Sequence, residues 1–181
     1  METGRILLRY WEESDAEALF KYASDPDVGP RAGWPAHKSV EESREIIRTF
    51  FHNDTTWAIV LKETGEAIGC IGYYTHETSN IPIGKNDCEV GYWIGKPYWN
   101  KGICTEALKL MLDFCIHEKH FENISARPMK AQPASGSTSV PISAKSRDMF
   151  FNLLVYFSLF HPSAGSGQEH YPLQSHSQDR V

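Results

Sequence analysis

The stretch CEVGYWIGKPYWNKGICTEALKLMLDFC, Cys88 to Cys115, constrains the fold more than any other part of the chain. It opens as a strand that Pro97 stops. From Ile103 onward, Ile103, Ala107, Leu108, Met111, Leu112 and Cys115 then recur at helical spacing as a broad apolar stripe. FENISARPM, Phe121 to Met129, suits one more short strand. A helix crossing between two strands makes them parallel. The chain must therefore accommodate a βαβ unit whose helix starts at the carboxyl edge of a sheet.

The remaining elements follow from periodicity and caps. GRILLRYW, Gly4 to Trp11, is apolar enough for a first strand, and SDAEALFKYAS follows with Ser14 as N-cap and Glu17 in the capping-box position. After the Pro- and Gly-rich loop DPDVGPRAGWPAHKS, Ser39 caps a second helix, VEESREIIRTFF. Glu42 completes its capping box, and Ile46, Ile47, Phe50 and Phe51 are expected on one face. TWAIVLKETGEAIGCIGYYTHE reads as a hairpin with strands Trp57 to Lys62 and Ala67 to His76 and a turn at ETGE. The order β-α-α-β-β-β-α-β predicts a mixed α/β sheet.

A helix that begins right after a strand presents unpaired N–H groups and the positive end of its dipole, which is where a phosphate binds. Gly102 lets the backbone approach an anion with no Cβ in the way, and Lys101 adds a cation. A glycine before a helix is by itself also an ordinary helix start. No G-x-x-x-x-G-K-[ST] accompanies it, which argues against a nucleotide-binding domain of that type.

Composition narrows the classes. At 181 residues, 41% hydrophobic and with a net charge of −5, the chain has the makings of one globular domain and lacks the basic face that nucleic acid or an anionic membrane requires. Neither is expected as a partner. The longest apolar run, Met149 to Phe160, is about half of the roughly 20 residues of a membrane span. Cys70, Cys88, Cys104 and Cys115 form no C-x-x-C pair, and the charged first residues read as no secretory leader, so a cytoplasmic setting with free thiols is expected. Cys104 and Cys115 fit core packing better than nucleophilic chemistry. His117 and His120, at i and i+3 near a helix end, fit the C-terminal dipole, and no metal is expected.

The same stretch resembles the motif of the GNAT superfamily of N-acetyltransferases, in the branch of ribosomal-protein alanine acetyltransferases. Glu89-Val90-Gly91-Tyr92-Trp93-Ile94 matches its strand, and Trp99, Gly102, Cys104 and Thr105-Glu106-Ala107 match its loop and helix start. The resemblance covers Gly4 to about Met129. It implies a GNAT-like α/β fold with a mostly antiparallel sheet and a central βαβ unit, and acetyl-CoA as cosubstrate. In the superfamily the loop holds the pyrophosphate on backbone amides while the preceding strand pairs with pantetheine. That assigns cofactor-binding roles to Trp93 and Ile94 on the strand and to Trp99, Asn100, Lys101, Gly102, Ile103, Cys104 and Thr105 in the loop. The substrate-side loop of the family is similar to GPRAGWPAHKS, which makes Arg31, Trp34 and His37 candidates for the acceptor pocket. An ordered surface loop is the other reading of those three residues.

Acetyl transfer from a thioester needs a neutral amine and a donor for the developing oxyanion. Glu89 is the candidate general base, or else a rim carboxylate that orients the substrate. The oxyanion donor is most simply a backbone N–H of the same strand. No general acid is assigned. The acceptor is expected to be a protein N-terminal α-amine or a small-molecule amine, and the chain is compatible with a homodimer.

The resemblance fails after the fifth strand. The family has N-x-x-S and a helix there. Here Gln132 replaces the Asn, Ser135 is retained as a cofactor-binding candidate, and Pro141 stands where the helix interior should be. Residues 1–136 are therefore read as the acetyltransferase domain, and 137–181 as a Ser- and His-rich, largely disordered tail that leaves the sheet incomplete. The tail is either an altered reading frame, favoured because the change is abrupt, or a divergent extension. A catalytically impaired CoA-binding or interaction protein is the alternative function.

Overall fold

The computed structural model describes residues 1–79, 81–128 and 140–143. Strand β1 (Ile6–Tyr10) leads through a 3-10 turn into α1 (Ala16–Ala23), the short α2 (Gly29–Ala32) and α3 (Val40–Ile46). Then follow β2 (Thr56–Leu61), β3 (Glu66–Tyr74), β4 (Asp87–Ile94), α4 (Ile103–His117), β5 (Asn123–Pro128) and β6 (Val140–Ser143). The strands form one sheet in sequential order. All neighbours pair antiparallel except β4 and β5, which are parallel with Cys88 opposite Ile124. This is the βαβ unit expected from the sequence, in a GNAT-like α/β fold.

The apolar stripe read from the sequence is the buried face of α4: Ile103, Ala107, Leu108, Met111, Leu112 and Cys115 are its buried residues. It packs on β4, where Cys88 meets Cys115 closely enough for their thiols to hydrogen-bond. Cys88, Val90, Tyr92 and Ile94 therefore share the face toward α4, and the pleat puts Glu89, Gly91 and Trp93 on the other.

Three local features depart from the expectation. Ser14 is not the cap of the first helix. Asp15 takes the N-cap position without a side-chain bond to the helix; its carboxylate instead accepts the Glu12 N–H (3.0 Å) and grips Arg9 through both oxygens (2.6 and 2.8 Å). Asp15 is one residue further on and charged, so it satisfies an amide and a guanidinium at once. In the second helix Ser39 caps as expected, with Oγ accepting from Glu42 N at 3.0 Å, while the Glu42 carboxylate accepts from Lys38 N at 2.6 Å and not from Ser39 N. That helix then widens into a π turn over Ile47–Phe51. The wider turn breaks the 3.6-residue phase. Ile47 stays buried and Phe51 stacks on Trp11 at 5.0 Å, but Phe50 is turned out, 67% exposed.

The third departure is β6. The segment in which no helix was expected forms a four-residue edge strand on β5, with Pro141 opposite Ser125. An edge position tolerates proline because one side of the strand makes no ladder bonds. Ser135, the run Met149 to Phe160 and most of the expected tail lie outside the described residues.

Ion pairs pin distant segments together. Lys62 holds Glu2 (2.7 Å), Arg48 holds Glu13 (2.6 Å) and Arg5 holds Glu106, and each cation keeps its carboxyl below the ordinary value of 4.5. A carboxyl lowered in the folded state stabilises fully above its unfolded pKa and loses that contribution as the pH falls through the folded one. The melting temperature is thus expected to drop steadily from pH 5 to pH 3.5. A level or rising profile over that range would contradict this.

Candidate active site

The site begins where β4 ends. A Cβ on Gly95 would lie 2.5 Å from the ring of Tyr22, so only glycine lets the chain pass α1 here. A 3-10 turn over Lys96–Tyr98 follows, and the indole N–H of Trp99 donates back to the Ile94 carbonyl at 2.9 Å. Asn100 (φ 60°) and Gly102 (φ 75°) both adopt the left-handed region, which asparagine tolerates and glycine enters freely. The nearest atom to a Cβ on Gly102 would be Arg5 Nη2 at 3.6 Å, so the residue is required for its conformation, not for crowding by the protein.

This loop delivers an uncapped helix. Gly102 has no side chain to cap α4, and the first backbone bond of the helix runs from Glu106 N to the Gly102 carbonyl at 3.1 Å. The amides of Ile103, Cys104 and Thr105 precede that bond and have no acceptor within the helix. They stand at the positive end of the dipole, the arrangement that suits an anion. Lys101 does not reach forward from the loop; its ammonium lies over the Tyr98 ring, 5.5 Å from the centroid. Burial pushes the Cys104 thiol up to about 12, so it is neutral at physiological pH and packs instead of attacking.

Among the described residues the ladder of β4 with β5 stops at Tyr92 opposite Pro128, while Trp93 and Ile94 continue to pair with Cys70 and Gly69 of β3. On the β5 side of these two residues no ladder partner is present among the described residues. The loop between α1 and α3 stands over them: Trp34 meets Trp93 edge to face at 5.7 Å and lies 5.1 Å from His37. His37 Nδ1 shares a 2.8 Å hydrogen bond with Ser43 Oγ, and burial lowers its pKa, which keeps the ring neutral at pH 7. Arg31 belongs to α2, on the same loop. Of the three acceptor-side candidates, Trp34 thus meets β4 directly and His37 packs behind it.

Glu89 lies on the same face of β4 as Trp93, about 13 Å away at four residues' rise. It is opposite Tyr74 on β3 and Ser125 on β5. Ser79 Oγ donates to Glu89 Oε2 at 2.7 Å and in turn accepts the Ile81 N–H at 3.1 Å, fixing the carboxylate's rotamer. Burial above all, with Cys70 and Glu89 nearby, pushes Tyr74 up to about 12, so its hydroxyl keeps its proton beside the carboxylate. Sequence reasoning missed Ser79 and Tyr74, because neither belongs to a periodic or motif position. It also missed Arg5, although Glu106 in the Thr-Glu-Ala motif pointed to a partner.

Among the described residues no three His, Cys, Asp or Glu side chains gather as a metal group, and no helix is long and apolar enough to cross a membrane. The model of the acetyltransferase (GNAT) domain family matches residues 5–139. The uncharacterised N-acetyltransferase p20 of Bacillus licheniformis is 30% identical over 132 residues, 69% of this chain and 70% of that protein. The acetyltransferase (GNAT family) from Bacillus anthracis superposes with a TM-score of 0.58 at 24% identity, over 70% of this chain and 71% of that one. The ribosomal-protein-S5-alanine acetyltransferase from Vibrio fischeri does so at 0.53 and 22%, over 70% and 72%. These superpositions speak for the fold. With the family match running from Arg5 through β1, the βαβ unit and the left-handed loop to Ser139, this chain belongs to the GNAT family of acetyltransferases.

Proposed function

We propose that this chain transfers an acetyl group from acetyl-CoA to a primary amine, either the α-amine of a protein N-terminus or a small-molecule amine. The observation that carries this reading is the uncapped start of α4 behind the left-handed loop at Asn100 and Gly102. In it the amides of Ile103, Cys104 and Thr105 hold the pyrophosphate, and the β5 side of Trp93 and Ile94 holds the pantetheine as an added strand. Trp99 braces the loop through its bond to Ile94. The amine comes in beside Trp34 and His37, with Arg31 on the same loop, and a neutral His37 does not repel an ammonium group. Glu89, oriented by Ser79 and about 13 Å along β4 from Trp93, takes the ammonium proton through intervening water so that the nitrogen can attack. A backbone N–H of β4 faces the developing oxyanion, and CoA leaves as its thiolate.

The likeness of Glu89–Ile94 and Trp99–Ala107 to ribosomal-protein alanine acetyltransferases favours the protein N-terminus of the two acceptors. Free cysteines at positions 70, 88, 104 and 115 accord with a cytoplasmic setting. A CoA-binding protein without turnover is the second reading, favoured by the Ser- and His-rich composition after Ser137.

Acetyl-CoA at a hundredfold excess over its Kd is expected to raise the melting temperature by about 5 °C or more, because a ligand bound only to the folded state stabilises it by roughly 2.7 kcal/mol. ATP at the same concentration is expected to give less, and an equal shift would remove the assignment. Gly102→Val is expected to abolish the acetyl-CoA shift while the chain still folds, since a β-branched residue resists the left-handed region. Wild-type affinity in that variant, measured by calorimetry, would refute the phosphate cradle.

Glu89→Gln is expected to lower kcat by about 10²- to 10⁴-fold, most steeply below the pKa of the amine, with CoA affinity unchanged. A loss independent of pH would reduce Glu89 to an orienting group.

A further inference from the structure

We propose that Arg5, at the foot of β1, is a positioning residue for the acetyl-CoA loop: it holds the Lys101 carbonyl and Glu106 together so that the amides after Gly102 face the pyrophosphate. The inference rests on the cradle reading above and adds to it a residue from outside the motif.

The guanidinium spans the loop and the helix. Nη1 and Nη2 both donate to the Lys101 carbonyl at 3.1 Å, and Nε donates to Glu106 Oε1 at 2.8 Å. Lys101 is flanked by the two left-handed residues, Asn100 and Gly102. Its carbonyl is therefore drawn toward β1 at the point where the backbone must reverse, and a carbonyl oxygen turned the other way would present negative charge to an anion. Glu106 is held from a second side, because Thr3 Oγ1 donates to its Oε2 at 3.0 Å. Thr3 is itself fixed: the same oxygen accepts the N–H groups of Arg5 (3.1 Å) and Ile6 (3.2 Å). The backbone of Arg5 is pinned by Lys62 N, which donates to its carbonyl at 2.9 Å.

Charge placement leads to the same conclusion. A carboxylate in the first turn of α4 would compete with a phosphate for the dipole, yet Glu106 is neutralised by Arg5 and turned to β1. The Arg5 Nη2 atom, 3.6 Å from where a Gly102 Cβ would be, puts positive charge beside the loop. A lysine could pair with Glu106, but its single ammonium lacks the planar fork that serves carbonyl and carboxylate together.

The test compares ligands with and without the pyrophosphate. CoA and pantetheine are titrated calorimetrically into the full chain and into Arg5→Ala and Arg5→Lys. Arg5→Ala is expected to weaken CoA about tenfold and to leave pantetheine unchanged, with Arg5→Lys recovering only part of the loss. If CoA and pantetheine weaken by the same factor, or if neither changes, Arg5 merely ties β1 to α4 and the proposal is overturned. Should Arg5→Ala fail to fold, the CoA-to-pantetheine ratio in Arg5→Lys decides on the same terms. If the wild-type chain binds both ligands equally, the cradle reading itself fails, a result distinct from a failure of Arg5 alone.

Discussion

The seating of α4 on β4 fixes everything else at the site. Leu108, Met111 and Leu112 are fully buried in that contact, each contributing roughly 2 kcal/mol. The connection between strand and helix must include a left-handed asparagine, which costs roughly 1–2 kcal/mol, and a left-handed glycine, which costs little. Packing therefore outweighs local strain, and the loop conforms to the helix. Because a right-handed crossover brings α4 back over the parallel pair β4–β5, its N-terminus emerges at the carboxyl edge beside Trp93 and Ile94. Anion site and strand edge are then neighbours as a consequence of topology.

The two halves of the site are made of different material. The proposed cofactor half consists of backbone: amides of α4, the end of β4, and the Lys101 carbonyl under Arg5. The proposed acceptor half consists of side chains carried by the loop between α1 and α3, with Trp34 against both His37 and Trp93, and Ser43 bonded to His37. Glu89 belongs to neither. It shares a face of β4 with Trp93 but is oriented by Ser79, from the connection between β3 and β4.

What was legible in the sequence was whatever periodicity or a cap encodes locally. The stripe of α4, the hairpin of β2 and β3 and the parallel placement of β5 all follow from patterns within a few residues of each other. The features that were not legible depend on contacts distant in the chain. Ser14 and Asp15 are both good caps by residue type, and Asp15 holds the N-cap position with its carboxylate committed to Arg9 and the Glu12 N–H. Phe50 fits a helical face until a π turn shifts the phase, with Phe51 committed to Trp11. Val140–Ser143, with its proline, has no signal of its own and becomes a strand because β5 offers an edge. Arg5 and Glu106 are 101 residues apart, beyond the reach of any local pattern.

That division has a consequence for how relatives resemble one another. A cradle built from backbone amides demands few side-chain identities: a glycine at the left-handed position, small or apolar residues that seat the helix, and a polar partner behind the turn. The loop that carries the proposed acceptor residues Trp34 and His37 can change residue by residue without disturbing α4, because Trp34 rests on the face of β4 opposite that helix. In the proposed reading the donor is held by the fold itself, and the amine by a loop of about ten residues that the fold supports.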